Sequence, residues 1–344
     1  MRGSRTMMAA VAALVMAWLL AAAACVPAMP VPIDPGTART AAAVAGDDGP
    51  CASARYQRAN PGGMKHEVSI FLPVGDGFCG DDDRPLIVFA HGYVGFDPGA
   101  YQATIDHLVS RGFVVIFPAW TVDFAPPLQY HAVNVGIDVG MTVAGDRVDT
   151  SRVGVVGHSW GGGMTPWLMQ RVHDRGWGSA ALFGVTMSPA WAHLVGDGPI
   201  ELPSHARLTA ITYEDDVFVD MQIAVEMLDA ATIPVGHKRH LLVHTDNRFD
   251  PPLEADHLLP LSLPGNVLGE WDHLDRWATF RPIDATANCA MHGTDCALDL
   301  ADMGTLHGVE VRRGTVGVGL ADVGPAPALA ECGSPLSPRA CTFG

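Results

Sequence analysis

Positive charge is what this chain has least of. Across 344 residues, 21 lysines and arginines stand against 37 aspartates and glutamates, a formal net charge of −16. That balance excludes a nucleic-acid partner and an electrostatic hold on anionic lipid, because both need a basic face. The chain also lacks any C-x-x-C pair, so its seven cysteines do not read as a metal site. No internal repeat is present, which removes solenoids and propellers.

The N-terminal stretch is equally poor in charge. Arg2 and Arg5 precede an apolar run from Met7 to Ala24, 18 residues without an ionisable side chain. A basic region followed by an apolar one reads as a signal peptide over 1–24, outside the fold. The run is also near the lower limit for crossing a bilayer, so an uncleaved anchor stays open. Ala22-Ala23-Ala24 leads into Cys25 and resembles the lipobox of bacterial lipoproteins, with Ala22 where leucine is usual. Lipidation of Cys25, giving a membrane tether, and simple cleavage nearby both follow from that pattern. Residues 25–50 are rich in Pro, Ala and Gly and read as a flexible tether. Without the two arginines the net charge goes from −16 to −18, which suits solubility outside the cell.

Setting Cys25 aside leaves six cysteines in sequence-local pairs: Cys51 with Cys79, Cys289 with Cys296, and Cys332 with Cys341. Six cysteines allow fifteen connectivities, and only proximity favours this one. Cysteine pairs of this kind point to an oxidising compartment. About 290 residues remain after signal and tether, enough for one large α/β domain.

Apolar runs then alternate with helical spacing. Val68–Leu72, Leu86–Ala90, Phe113–Phe117, Val153–Val156, Ala180–Thr186, Leu208–Tyr213 and His240–Val243 read as strands. Ala100–Ser110, about Tyr130–Ala144, the stretch after Ser159, and Phe218–Ala230 read as helices. Such alternation implies a mostly parallel central sheet with helices on both faces, and a site at the carboxyl ends of its strands. The domain is expected over 51–283, and a small C-terminal extension with disulfides over 284–344. Within that extension, Val309-Glu-Val-Arg and Thr315-Val-Gly-Val suggest a short hairpin, a cover for the sheet edge.

Gly157-His158-Ser159-Trp160-Gly161 lies between the Val153 strand and a glycine-rich helix start. A serine at such a strand–turn–helix junction is strained and exposed, and glycines two before and two after let strand and helix approach. The helix N-terminus beneath it favours developing negative charge. Ser159 is therefore the candidate nucleophile.

Together with Pro85-Leu-Ile-Val-Phe-Ala-His91-Gly92-Tyr93, Gly112-Phe-Val-Val-Ile and Asp149-Thr-Ser-Arg152, this motif resembles the α/β-hydrolase superfamily over roughly residues 65 to 280. Within it, the chain is most similar to the bacterial cutinase, polyesterase and lipase group and to dienelactone-hydrolase-like serine esterases. The resemblance implies an α/β-hydrolase fold and a triad in the order nucleophile, acid, histidine. It puts the acid after the Leu208 strand: Asp216 first, Asp215 second, with Glu214 and Asp220 less favoured. Asp216 also reads as a helix cap before Val217-Phe218-Val219. The histidine is expected on the loop after the last strand, at His257 in Ala255-Asp256-His257, with His244, His273 and His292 as alternatives among 15. His158 and His91 read as structural. The oxyanion hole falls to the backbone N–H groups of Trp160 and Tyr93. Tyr93 and Trp191 are expected to line the substrate pocket, with Trp120 and Phe124 as weaker candidates. The loop from Trp120 to Gln129 is too short for a large lid.

The expected activity is cleavage of a small or polymeric carboxylic ester through an acyl-enzyme, with no cofactor, metal or protein partner. A peptidase or amidase uses the same residues, and a catalytically silent surface lipoprotein could share the scaffold. Asp246-Asn247-Arg248-Phe249-Asp250 has oxygen ligands at calcium-like spacing but lacks the rest of a calcium loop.

Overall fold

Runs of β-branched and aromatic residues build the centre of one eight-stranded sheet. The structure is a computed structural model that describes residues 45–296, apart from 64–65, 81–82, 122–124, 193–198, 248–251 and 263–272. It also describes the short pair Thr305–Leu306 and Val309–Glu310. The strands are β1 (Ala52–Ala59), β2 (Glu67–Val74), β3 (Arg84–Ala90), β4 (Val114–Pro118), β5 (Val148–His158), β6 (Ala181–Met187), β7 (Arg207–Tyr213) and β8 (Lys238–Val243). Their spatial order is β1-β2-β4-β3-β5-β6-β7-β8. β2 pairs antiparallel with both β1 and β4, while β3 to β8 run parallel. The chain winds outward in both directions from β3 and β5. The crevice at their carboxyl ends is the switch point where open α/β sheets place their sites.

Side chains on β3 alternate between two apolar layers. Leu86, Val88 and Ala90 face one, Ile87 and Phe89 the other. The first is covered by α2 (Pro126–Ala144), α3 (Ser159–Asp174) and α4 (Gln222–Ala230), through Val133, Ile137, Leu168 and Leu228. The second is covered by α1 (Gln102–Ser110) and α5 (Arg281–His292), through Ile105, Leu108, Ile283 and Ala287. A π turn, Arg276–Phe280, leads into α5 and buries Trp277. Apolar cover on both faces explains why the central strands read as unbroken hydrophobic runs.

The order and type of the expected elements agree with this architecture; several bounds move for local reasons. α2 starts at Pro126, whose fixed φ suits the first helical turn, rather than near Tyr130. α4 starts at Gln222 rather than Phe218, because Asp220 Oδ1 accepts the Gln222 N–H at 3.0 Å. β1 was not foreseen: it is an edge strand with little apolar content and mostly exposed side chains. α5 was not foreseen either, and it runs through the boundary expected at 283/284 with Ile283 and Ala287 in the core.

Two expected disulfides are present, Cys51–Cys79 and Cys289–Cys296. Cys332 with Cys341, the Thr315 strand, the signal segment and Cys25 lie outside the described residues. Of the expected tether, only 45–50 are described, and they are bound to the domain. The Gly46 N–H donates to Asp284 Oδ2 at 2.7 Å, and Asp48 Oδ1 lies 2.8 Å from His107 Nδ1. No helix among the described residues is long and apolar enough to cross a membrane.

Candidate active site

Ser159 opens α3 directly after β5 with φ at 53°, the left-handed region that a residue with a Cβ rarely adopts. The flanking glycines make that turn possible. A Cβ on Gly161 would strike the Ala90 and His91 carbonyls, and one on Gly157 would strike Gly161. The helix can therefore start tight against β3 and β5, with the serine at the switch point.

Two distant loops converge on Ser159. His257 Nε2 lies 2.9 Å from Ser159 Oγ, and His257 Nδ1 lies 2.7 Å from Asp216 Oδ2. Asp216 follows β7, and its Oδ1 accepts the N–H groups of Phe218 at 2.8 Å and Val219 at 3.1 Å. The expected helix cap is not formed, because α4 starts only at Gln222; Asp216 Oδ1 instead holds a turn at Phe218 and Val219, while Oδ2 meets His257. Burial acts to raise the Asp216 carboxyl. The His257 hydrogen bond and charge, the Ser188 hydroxyl and the Phe218 N–H outweigh it and hold the group below its ordinary value. Phe218 lies over the His257 ring with centroids 5.1 Å apart.

Asp215, Glu214 and His244 are engaged with other partners. Asp215 is exposed and accepts the Thr245 hydroxyl. His244 Nδ1 lies 3.1 Å from Glu214 Oε2. His292 is exposed at the end of α5, and His273 falls in a single helical turn, His273–Asp275, before the π turn.

Around the serine, the turn after β3 comes close: a Cβ on Gly92 would sit 3.4 Å from Ser159 Cβ. Trp160 is the second residue of α3, where backbone N–H groups have no partner within the helix. Its indole N–H donates to Gln129 Oε1 at 2.7 Å. Tyr93 is 42% exposed and meets Trp160 edge-on at 5.8 Å. Trp191 is half-buried, and its backbone lies against Gly163 of α3. Trp120 is fully buried and stacks on His91 at 4.6 Å, so it packs the core rather than lining a cleft. Phe124 lies outside the described residues. So does the 248–250 part of the segment with calcium-like spacing; Asp246 itself pairs with Leu253 through the backbone.

Both histidines read as structural are buried and neutral. His91 Nδ1 donates to the Gly92 carbonyl at 2.6 Å and its Nε2 accepts the Trp120 N–H at 3.1 Å. Burial pushes its pKa down to about 3. His158 turns away from the serine hydroxyl toward Tyr101 and the His257 backbone.

Ser188 was missed by the sequence reading. It follows β6 with φ at 44°, and its hydroxyl donates to Asp216 Oδ2, the oxygen that also meets His257. Only the three-dimensional placement of the β6 and β7 ends reveals it.

This serine–histidine–aspartate array, at the switch point of an eight-stranded sheet, defines an α/β-hydrolase-like scaffold. No protein-family model matches the chain, and no curated protein matches it.

Proposed function

We propose that the chain is a serine hydrolase that cleaves carboxylic esters, in the manner of the cutinase, lipase and dienelactone-hydrolase-like esterases. The observation that carries this reading is the continuous path Ser159 Oγ–His257–Asp216, with 2.9 Å and 2.7 Å contacts, on a strained strand–helix turn. His257 Nε2 takes the Ser159 proton as Oγ bonds to the ester carbonyl carbon. The carbonyl oxygen becomes an oxyanion held by the Trp160 and Tyr93 amides. The C–O bond then breaks, the alcohol leaves with the proton from His257, and an acyl-Ser159 remains. Water, deprotonated by His257, releases the acid and restores the hydroxyl. Asp216 fixes the ring and stabilises the imidazolium without taking a proton. Tyr93 and Trp191 contact the substrate beside the serine. The scheme draws on no group beyond the chain and water.

The test is hydrolysis of p-nitrophenyl esters, from acetate to palmitate, by the wild-type chain beside Ser159→Ala. Turnover lost in the variant supports a serine esterase, and the preferred acyl length assigns its substrate class. Labelling of Ser159 by a fluorophosphonate without ester turnover overturns the ester reading in favour of an amide. Absence of both overturns hydrolysis and leaves a silent scaffold.

The reading extends to an exported protein, secreted or held at a bacterial envelope through Cys25. Its support is the basic-then-apolar start from Arg2 to Ala24 and the two cystines, which persist in oxidising compartments. Mass spectrometry of the mature N-terminus distinguishes a lipidated Cys25, a cleaved chain and a retained anchor.

A further inference from the structure

His158 sits beside the nucleophile, is only 3% exposed, and has no place in the proton path above. Both ring nitrogens are nevertheless engaged. His158 Nε2 lies 2.9 Å from the His257 carbonyl oxygen, and His158 Nδ1 lies 2.9 Å from Tyr101 Oη. Tyr101 Oη in turn accepts the Gly92 N–H at 2.8 Å. With the His158 ring neutral, the two ends fix every proton between them. A backbone N–H can only donate and a carbonyl can only accept. Tyr101 therefore spends its one hydrogen on His158 Nδ1, and His158 carries its own on Nε2.

The surroundings keep that arrangement. Burial, and then the His257 ring 5.0 Å away, push the His158 pKa down to about 3, so the ring stays neutral. Tyr101 is buried between Phe89 at 4.9 Å and Phe117 at 6.1 Å, and burial raises its phenol well above the ordinary value. Gly92 lacks the Cβ that would lie 3.1 Å from Tyr101 Oη and 3.2 Å from His158 Nδ1. Space for the chain of bonds is thus built into the turn.

We propose that Tyr101 and His158 are a positioning pair, a directed chain of three hydrogen bonds that holds the Gly92–Tyr93 turn and the His257 backbone in register with Ser159. The inference rests on the hydrolase reading. It deepens it by naming side chains that tie the Gly92 turn, the nucleophile turn and the His257 loop together beside the reacting atoms. A displacement of about 1 Å in such a site costs roughly a hundredfold in rate, which is the scale on which the pair acts.

Two substitutions separate the two halves of the His158 ring. His158→Gln offers both groups of the neutral ring, an amide N–H for the His257 carbonyl and an amide oxygen for the Tyr101 hydroxyl. His158→Asn offers an acceptor near the Nδ1 position and loses the bond to His257. Rates are expressed per site titrated with a fluorophosphonate, so misfolded protein does not enter. The expected result is a fall in kcat of roughly tenfold to a hundredfold for His158→Asn with KM within about twofold, and kcat within about threefold for His158→Gln. Tyr101→Phe, which strands the Gly92 amide, falls with the asparagine variant. Equal rates per titrated site in all forms overturn the proposal, as does an equal loss in the Gln and Asn variants. Absence of both turnover and Ser159 labelling in the wild-type chain is the failure of the hydrolase reading itself. The hydrogen-bond chain is then read directly by ¹⁵N histidine NMR of the intact protein. His158 is expected protonated on Nε2 and bare on Nδ1 from about pH 8 to about pH 5. A proton on Nδ1, or titration in that window, overturns it.

Discussion

Ser159 and Ser188 hold the two left-handed backbones at the ends of β5 and β6, at φ 53° and 44°. Each costs on the order of 1–2 kcal/mol, and neither is glycine, so the hydroxyl is what the position keeps. For Ser188 the hydroxyl's partner is Asp216 Oδ2. Ser188→Ala removes one donor from a carboxylate that meets His257 at 2.7 Å through the same oxygen. A hydrogen bond to a charged group is worth about 1.5–3 kcal/mol, so kcat/KM for the ester should fall at least about tenfold. Steady-state kinetics unchanged by the substitution would show that Ser188 only fills space. The histidines give a sharper contrast. His257→Ala should lower kcat by about a thousandfold or more, as loss of a triad base does. His244→Ala, which removes only a half-exposed contact to Glu214, should leave turnover unchanged. Full activity in His257→Ala would sink the triad.

Elements buried on both faces announce themselves. Leu86–Ala90 and Val114–Phe117 are continuous apolar runs because helices cover both sides of them, and the sequence alone assigns them as parallel strands. The turn at Ser159 is equally legible, because its glycines mark close approach of strand and helix. β1 is not, since its alternation in Ala-Ser-Ala-Arg-Tyr-Gln-Arg-Ala rests on small alanines and one tyrosine, too little apolar surface to mark an edge strand. α5 hides for another reason: Pro282 and a π turn interrupt the helical period just where it begins. The site divides along the same line. Ser159 follows from its local motif, whereas Asp216 and His257 were expected from the order that the α/β-hydrolase resemblance implies. Ser188 and Tyr101 act through contacts between loop ends that no local pattern encodes. If α5 belongs to the core, as Ile283 at 0% exposure implies, Ile283→Ala should cost about 2–5 kcal/mol of stability. Chemical denaturation measures this, and a loss under about 0.5 kcal/mol would place α5 on the surface.

At the scale of the whole molecule, buried histidines set the response to pH, and they do so in two directions. His91 and His158 have pKa values pushed down to about 3 and His240 to about 4, in each case mainly by burial. In the unfolded chain each returns to its ordinary value of 6.5. Below that value the unfolded state binds protons that the folded state refuses, so stability falls as pH falls. Each such group steepens the loss by about 1.4 kcal/mol per pH unit, so three together over two pH units are comparable to a whole-protein stability of about 5–15 kcal/mol. His107 works the other way. Burial opposes its charge, but Asp284 and Asp48 outweigh burial and raise its pKa. Its contribution is fully present below 6.5 and is lost as pH rises through the raised value. Acid therefore attacks the triad end, through His91 and His158, and base loosens the contact between residues 46–48 and α1. Unfolding at about pH 5.5 should take up about three protons, read from the pH dependence of the denaturant midpoint. His107→Gln should flatten the decline above neutrality while leaving the acid limb in place. Proton uptake near zero at that pH would mean that the three histidines are not held neutral, and the hydrogen-bond directions drawn through His158 would fall with them.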